Sequence, residues 1–142
     1  MREKIFVDTG PIVAAVDARD QFHDRVVEQL KKLDPPLITN EPVITEATFL
    51  LKSSGLDSTK ALGLVDSGMI QLGFSLGQEQ KPVLALMRRY QNVPMSLADA
   101  CLVRMTELQP RCVVWTVDSD FQIYRRNGRQ VVPVLMPGKG RR

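Results

Sequence analysis

Several features that would indicate particular classes of protein are scarce in this chain of 142 residues. It has two cysteines and one histidine, and the cysteines do not form a C-x-x-C pair, so we do not expect a zinc site. No apolar run reaches the roughly eighteen residues that a membrane span requires. A glycine-rich phosphate-binding loop is also lacking, which argues against a nucleotide-binding protein.

The overall composition is that of an ordinary soluble globular protein. Hydrophobic residues make up 44% of the chain and charged residues 25%, and the length suffices for one domain with a sizeable core. The first four residues lead directly into the apolar run 5–7, without the long apolar stretch and cleavage site of a signal peptide. We therefore expect a cytoplasmic protein that has no association with membranes, in which Cys101 and Cys112 are buried free thiols.

The net charge is moderately positive, at +3 with an isoelectric point near 9.1. Lysine and arginine occur in adjacent pairs at 31–32, 88–89 and 125–126, and the last four residues carry three more basic side chains. Any one pair is as well explained by a solvated helix face. Together they suit a polyanion that is attracted to the protein surface.

Strand and helix patterns alternate along the whole chain, which indicates an α/β fold with a parallel sheet. The predicted strands are 4–8, 37–39, 69–74, 112–117 and 130–135, and the predicted helices are 20–33, 42–52, 58–66, 78–90, 96–108 and 119–125. There is no internal repeat, linker or low-complexity segment. We therefore expect a single domain over residues 1–137, followed by a basic, frayed tail at 138–142.

Four acidic residues occur at points where one predicted element gives way to the next. Asp8 follows the first strand and Asp118 follows the fourth, Glu46 lies early in the helix that Asn40 opens, and Asp99 lies three residues after the helix-capping Ser96. Strand ends and helix starts of this kind meet on the ligand-binding rim of a parallel α/β sheet. Four carboxylates there would repel one another unless a cation lay between them, and a hard divalent cation with oxygen ligands is the natural candidate.

The sequence around these acids resembles the signature of PIN-domain nucleases, and most closely the small VapC-type toxins of toxin–antitoxin pairs. The motifs that carry the resemblance are Val-Asp-Thr-Gly-Pro at 7–11, Thr-Glu at 45–46, Ser-Leu-Ala-Asp-Ala at 96–100 and Thr-Val-Asp-Ser-Asp-Phe at 116–121. They extend over nearly the whole chain. The resemblance implies a three-layer fold in which a five-stranded parallel sheet of order 3-2-1-4-5 is flanked by helices.

The resemblance also implies a function, which is metal-dependent endoribonuclease activity with Mg²⁺ or Mn²⁺ as the cofactor. Asp8 and Asp99 would be the central metal ligands, with Glu46 and Asp118 completing the catalytic site directly or through water. A third group, the hydroxyl-bearing residues Thr9, Ser96 and Thr116, would position water, carboxylates or the phosphate. The family further implies an RNA substrate, a homodimer, and an antitoxin protein that silences the site.

Other interpretations of these residues stay open at the level of the sequence. Each acid has an ordinary alternative as a turn, surface or helix-capping residue. Asp120 is either an outer fifth acid or the cap of the short helix after Asp118, with the cap favoured, and His23 is more readily a packing or surface residue than a catalytic one. A PIN fold that binds RNA or a partner without cutting is the main alternative function. A phospho-aspartate phosphatase is disfavoured, because Asp8-Thr9-Gly10 lacks the second acid of Asp-x-Asp.

Overall fold

A computed structural model describes residues 3–138 of the chain. The α-helices are α1 (Thr9–Val16), α2 (His23–Lys32), α3 (Glu41–Ser53), α4 (Lys60–Asp66), α5 (Leu76–Arg89) and α6 (Leu97–Leu108), and a 3₁₀ helix spans Ser119–Gln122. The strands are β1 (Lys4–Val7), β2 (Leu37–Thr39), β3 (Ile70–Leu72), β4 (Cys112–Trp115), β5 (Arg125–Arg126), β6 (Gln130–Val131) and β7 (Val134–Leu135). No helix in this range is long and apolar enough to cross a membrane.

Five of the strands form one parallel sheet in the order β3-β2-β1-β4-β7. This confirms the predicted order 3-2-1-4-5, with β7 as the fifth strand. The central pair, β1 and β4, runs in register from Lys4 opposite Cys112 to Val7 opposite Trp115. The residues that follow these two strands therefore emerge side by side at the carboxyl edge of the sheet.

Helices cover both faces of the sheet. Phe6 and Val7 are adjacent on β1 and both are buried, although successive strand side chains point to opposite faces. Burial on both faces is what a parallel sheet between helical layers requires. Trp115, at the end of β4, is also buried and donates its Nε1–H to Oε1 of Gln29 on α2 at 2.8 Å. Cys101 and Cys112 are buried free thiols, which confirms the sequence prediction.

The sequence prediction missed helix α1, which begins directly after Asp8. Gly10 and Pro11 are residue types common in turns, yet both lie in the first turn of α1, where the backbone N–H that proline lacks would have no partner within the helix. The helix predicted at 20–33 is shorter, because His23–Lys32 forms α2 and the residues before it are a turn.

The end of the domain also differs from the prediction. The strand predicted over 130–135 is two strands with different partners: β6 pairs antiparallel with β5, and only β7 joins the main sheet. The loop between β5 and β6 has three residues, 127–129, and in it Asn127 and Gly128 both have positive φ, at 52° and 84°, a conformation that asparagine and glycine adopt more readily than other residues. The helix predicted over 119–125 is the 3₁₀ helix of four residues. Residues 139–142 of the predicted basic tail lie outside the described residues.

Candidate active site

The loops that follow β1 and β4 pack directly against each other at the carboxyl edge of the sheet. A Cβ atom at Gly10 would run into the side chain of Val117, so only a glycine allows α1 to start this close to the β4 loop. In the main sheet, the chain continues from β1 to β2, on one side of the central pair, and from β4 to β7, on the other side. The carboxyl edge between β1 and β4 is therefore a topological switch point. Asp8 and Asp118 stand on its two sides.

Asp8 is buried, with 4% of its surface exposed, and caps the N-terminus of α1. Its Oδ1 accepts the Thr9 backbone N–H at 2.7 Å, and its Oδ2 accepts the Thr116 hydroxyl at 2.7 Å. Burial is the main cause that raises the pKa of Asp8 to about 7, with further contributions from the charges of Asp99 and Glu46, against the lowering effect of the two hydrogen bonds.

Asp99 is the second buried carboxylate, with 6% of its surface exposed, and lies in the first turn of α6. It forms a capping box with Ser96: the Ser96 hydroxyl accepts the Asp99 backbone N–H at 3.0 Å, and Asp99 Oδ2 accepts the Ser96 backbone N–H at 3.4 Å. The same Oδ2 accepts the hydroxyl of Tyr124 at 2.9 Å. Burial raises the pKa of Asp99 to about 6, and the charge of Asp118 adds to this rise.

Electrostatic interactions connect the remaining predicted acids to this pair. The charge of Glu46, half-buried on α3, helps to raise the pKa of Asp8, and the charge of Asp118 helps to raise that of Asp99. Because Asp8 and Asp99 also interact with each other, the four carboxylates form one electrostatic group. Whether they act in catalysis stays a prediction.

The cap of the 3₁₀ helix is Asp118 rather than Asp120, which corrects the favoured interpretation of Asp120. Asp118 Oδ1 accepts the Asp120 backbone N–H at 2.8 Å. Asp120 itself lies in the first turn, and desolvation followed by the neighbouring Asp118 raises its pKa above the ordinary value. Burial and then Asp99 are the main causes that raise the pKa of Tyr124, and the charge of Asp120 adds to this rise. Asp120 thus lies at the edge of the acidic group and belongs to it electrostatically.

Hydroxyl groups link the carboxylates across the two loops. The Thr116 hydroxyl donates to Asp8 and accepts the Asp118 backbone N–H at 2.9 Å. This one side chain therefore links the segment after β1 to the segment after β4. The Thr9 hydroxyl is buried and has no hydrogen-bond partner among residues 3–138. A buried polar atom of this kind is usually satisfied by water or a ligand.

The donor set suits a hard divalent cation such as Mg²⁺. In the described part of the chain, no group of three or more histidine, cysteine, aspartate or glutamate side chains is close enough to hold a metal ion by itself. Mg²⁺ does not need such a group, since it commonly binds through one or two carboxylates and keeps several waters. Asp8 and Asp99 are the two buried carboxylates that could supply such ligands, and the Thr9 hydroxyl could be a polar neighbour for a water. A cation would also offset the burial and repulsion that raise both pKa values.

Tyr124 was not identified from the sequence, although it is buried and hydrogen-bonded to Asp99. No spacing rule links residue 124 to residue 99, and its neighbours Arg125 and Arg126 suggested an exposed segment. His23, by contrast, is accounted for by packing: its Nδ1 donates to the carbonyl of Ala14 at 2.6 Å and joins α2 to α1.

The basic pairs predicted to attract a polyanion are partly committed to the fold. Arg125 donates to the three backbone carbonyls of residues 122–124, and Arg126 donates to those of Thr106 and Pro110. Arg89 donates to the carbonyl of Gly128. For these residues the structural role is now assigned, and a surface for a polyanion would have to draw on other lysines and arginines.

Comparison with known proteins gives one family and one fold. The family model of the PIN domain matches residues 5–127. No curated protein matches the chain in sequence. Among solved structures, the chain is similar to the crystal structure of VapC20 from Mycobacterium tuberculosis, a sarcin–ricin loop cleaving toxin. The TM-score is 0.77 at 20% sequence identity, over 84% of this chain and 94% of that one.

Proposed function

The chain belongs to the PIN-domain family, and from this premise we propose that it is a metal-dependent endoribonuclease, the toxin component of a toxin–antitoxin pair. The observation that supports this most directly is the pair Asp8 and Asp99. Both carboxylates are almost completely buried, and no lysine or arginine among residues 3–138 forms an ion pair with either one. Buried carboxylates without a cationic partner are expected to coordinate a metal or to be protonated.

Asp8 and Asp99 would hold the cation, and Glu46 and Asp118 would contact it directly or through its waters. When bound, Mg²⁺ or Mn²⁺ would supply hydroxide at neutral pH and neutralise the charge that develops on the phosphate. The hydrogen bonds made by Thr116 and Ser96 are consistent with these roles. Thr116 keeps one oxygen of Asp8 oriented, and Ser96 fixes the start of the helix that carries Asp99.

The unpaired hydroxyl of Thr9 would orient a water or a phosphate oxygen beside Asp8. Asp120 would act as an outer acid, because it interacts with Asp118 at the edge of the group. We assign His23 a packing role, because its Nδ1 donates to the carbonyl of Ala14 and the metal mechanism does not require a histidine.

RNA is proposed as the substrate from the family and from the description of VapC20 as a sarcin–ricin loop cleaving toxin. We propose single-stranded or loop RNA as the substrate, because its bases and phosphates are more accessible to a protein than those of a duplex. By the same resemblance we propose a homodimer and an antitoxin protein that occupies the site and places a basic side chain among the acids.

The test is cleavage of a mixed pool of structured RNAs that includes a sarcin–ricin loop hairpin. Wild-type protein freed of any co-purified inhibitor is compared with Asp99→Asn in Mn²⁺, in Mg²⁺ and in EDTA. Asp24→Asn, which makes the same chemical change at an exposed position on α2, is the matched control. We expect wild-type and Asp24→Asn protein to cut with metal only, and Asp99→Asn to be inactive in every condition.

RNA binding is measured in the same samples by a gel-shift assay in EDTA. Folded wild-type protein that binds RNA but does not cut it with either metal would contradict nuclease activity and favour a PIN-fold binding module. Cleavage by Asp99→Asn at the wild-type rate would leave the nuclease in place but contradict this site.

A further inference from the structure

Among residues 3–138, the buried hydroxyl of Tyr124 forms a hydrogen bond with one charged group, Asp99. The side chain has no exposed surface, and its hydroxyl lies 2.9 Å from Asp99 Oδ2 and 3.5 Å from the carbonyl of Pro94. A hydroxyl has one proton to donate, and the shorter contact to a carboxylate is the stronger hydrogen bond. The proton of Tyr124 is therefore directed to Asp99.

The ring of Tyr124 is fixed by aromatic neighbours on two sides. Tyr90 packs edge to face at 5.3 Å between centroids, and Phe121 does the same at 5.1 Å. The ring of Tyr90 makes this contact, whereas its hydroxyl accepts the Arg125 backbone N–H at 2.9 Å. Packing of this kind restricts the ring to one orientation, so the position of the hydroxyl is determined by the fold.

The β5–β6 hairpin that follows Tyr124 is attached to the helix that carries Asp99. Arg126 donates to the carbonyl of Thr106 at 3.2 Å, and the Asn127 backbone N–H donates to Glu107 Oε2 at 2.7 Å. Both acceptors lie near the C-terminal end of α6, whereas Asp99 lies in its first turn. These contacts attach the segment that follows Tyr124 to α6, the helix that contains Asp99.

The two carboxylate oxygens of Asp99 differ in their hydrogen bonds. Oδ2 accepts from both Tyr124 and Ser96, whereas Oδ1 accepts no hydrogen bond from any of residues 3–138. We infer that Tyr124 is a positioning residue for the metal centre. Its hydroxyl holds Oδ2 of Asp99, so that Oδ1 is presented to a divalent cation. This inference rests on the function proposed above. Outer hydrogen bonds of this kind commonly orient carboxylate ligands.

The direct test is Mn²⁺ binding to the apo protein by isothermal titration calorimetry, without RNA. Tyr124→Phe keeps the buried ring and removes only the hydroxyl. Tyr90→Phe is the matched control, because it removes the neighbouring hydroxyl, which accepts from Arg125 and does not touch an acid. We expect Tyr124→Phe to raise the Mn²⁺ dissociation constant by about 10- to 100-fold, and Tyr90→Phe to leave it at the wild-type value.

RNA cleavage and melting temperature are measured on the same three proteins. A lower melting temperature for Tyr124→Phe with unchanged Mn²⁺ affinity would show a purely structural role and overturn the inference, while a wild type that binds Mn²⁺ and cuts RNA would leave the proposed function intact. A wild type that neither binds Mn²⁺ nor cuts RNA would overturn both.

A second measurement does not depend on the folding of Tyr124→Phe. The chain has only two tyrosines, so wild-type protein labelled with 3-fluorotyrosine gives two ¹⁹F resonances, and Tyr90→Phe assigns them. We expect Mg²⁺ to shift the Tyr124 resonance in a saturable way, and to have no such effect in Asp99→Asn. A Tyr124 resonance that does not respond to Mg²⁺ in wild-type protein would contradict the inference.

Discussion

Replacing Asp8 with asparagine should make the metal-free protein more stable at neutral and alkaline pH. Burial raises the pKa of Asp8 from 3.8 to about 7, so the folded state resists ionisation of this carboxyl group more than the unfolded state does. Near pH 4 the group is largely protonated in the folded state and costs little. As the pH rises from about 4 to about 7, the unfolded state loses the proton first, and the free energy of unfolding falls. Above pH 7 the full cost is present.

The size of this effect follows from the rise of the pKa from 3.8 to about 7. At about 1.4 kcal/mol per pKa unit, the ionised Asp8 costs the folded state about 4 kcal/mol above pH 7. Asparagine is neutral at every pH and removes this cost. This cost already includes the repulsion between the charges of Asp8 and Asp99.

The substitution also disturbs one hydrogen bond. Asparagine keeps an oxygen that can accept the Thr9 backbone N–H and caps a helix about as well as aspartate. Its amide nitrogen cannot accept the Thr116 hydroxyl as Oδ2 does, and rearrangement of this contact costs about 1 kcal/mol. Asp8→Asn should therefore be about 1 kcal/mol less stable than wild type near pH 4 and about 3 kcal/mol more stable at pH 8.

The assay is urea denaturation in EDTA at pH 4, 6 and 8, with Asp24→Asn as the control for the chemical change. The difference in unfolding free energy between Asp8→Asn and wild type should change sign within this range, whereas Asp24→Asn should show no such trend. An Asp8→Asn protein that is destabilised equally at pH 4 and pH 8 would refute the reasoning and assign Asp8 a structural role.

Three further predictions follow from the same contacts. Saturating Mg²⁺, at about 100 times its dissociation constant, should stabilise wild-type protein by about 2.7 kcal/mol, or roughly 8 °C in melting temperature, but not Asp8→Asn. Thr116→Val should slow RNA cleavage and destabilise the protein by about 1–3 kcal/mol, because Asp8 loses a hydrogen-bond donor; Thr106→Val, which removes a buried hydroxyl bonded within α6, should leave cleavage unchanged. Gly10→Ala should lower both activity and melting temperature, because the new Cβ meets Val117.

These outcomes can each be contradicted by thermal melts and cleavage rates on purified variants. Equal Mg²⁺-induced shifts in wild-type and Asp8→Asn protein would argue against the site. Equal losses of cleavage in Thr116→Val and Thr106→Val would mean that the hydroxyl of Thr116 has no special part. A Gly10→Ala protein with wild-type activity would mean that the β4 loop yields to the added methyl group without moving the acids.

The sheet could be predicted from the sequence because its signals are local. Apolar runs such as 5–7 and 112–115 mark buried strands, and alternation with helices implies a parallel sheet. Helix α1 escaped prediction because Gly10 and Pro11 usually signal a turn, and only the N-cap role of Asp8 shows that they begin a helix. The β5–β6 hairpin escaped because its strands have two residues each, which is too short for any periodicity.

The candidate site was predicted as a set of residue types but not as a set of contacts. Acids at strand ends and helix starts can be recognised in a sequence, and the structure brings Asp8 and Asp99 into electrostatic contact. The bond from Thr116 to Asp8 and the bond from Tyr124 to Asp99 join residues that are far apart in the chain. Such pairs depend on loop packing and on a hairpin register, which one sequence does not reveal.

The most direct measurement is a crystal structure of the protein soaked in Mn²⁺, with anomalous diffraction data, from a preparation that cleaves RNA in Mn²⁺. We expect one anomalous peak at the carboxyl edge of the sheet, with oxygens of both Asp8 and Asp99 about 2 Å from it. Anomalous peaks elsewhere and none at this edge, in crystals of an active preparation, would contradict a metal centre built on these two carboxylates.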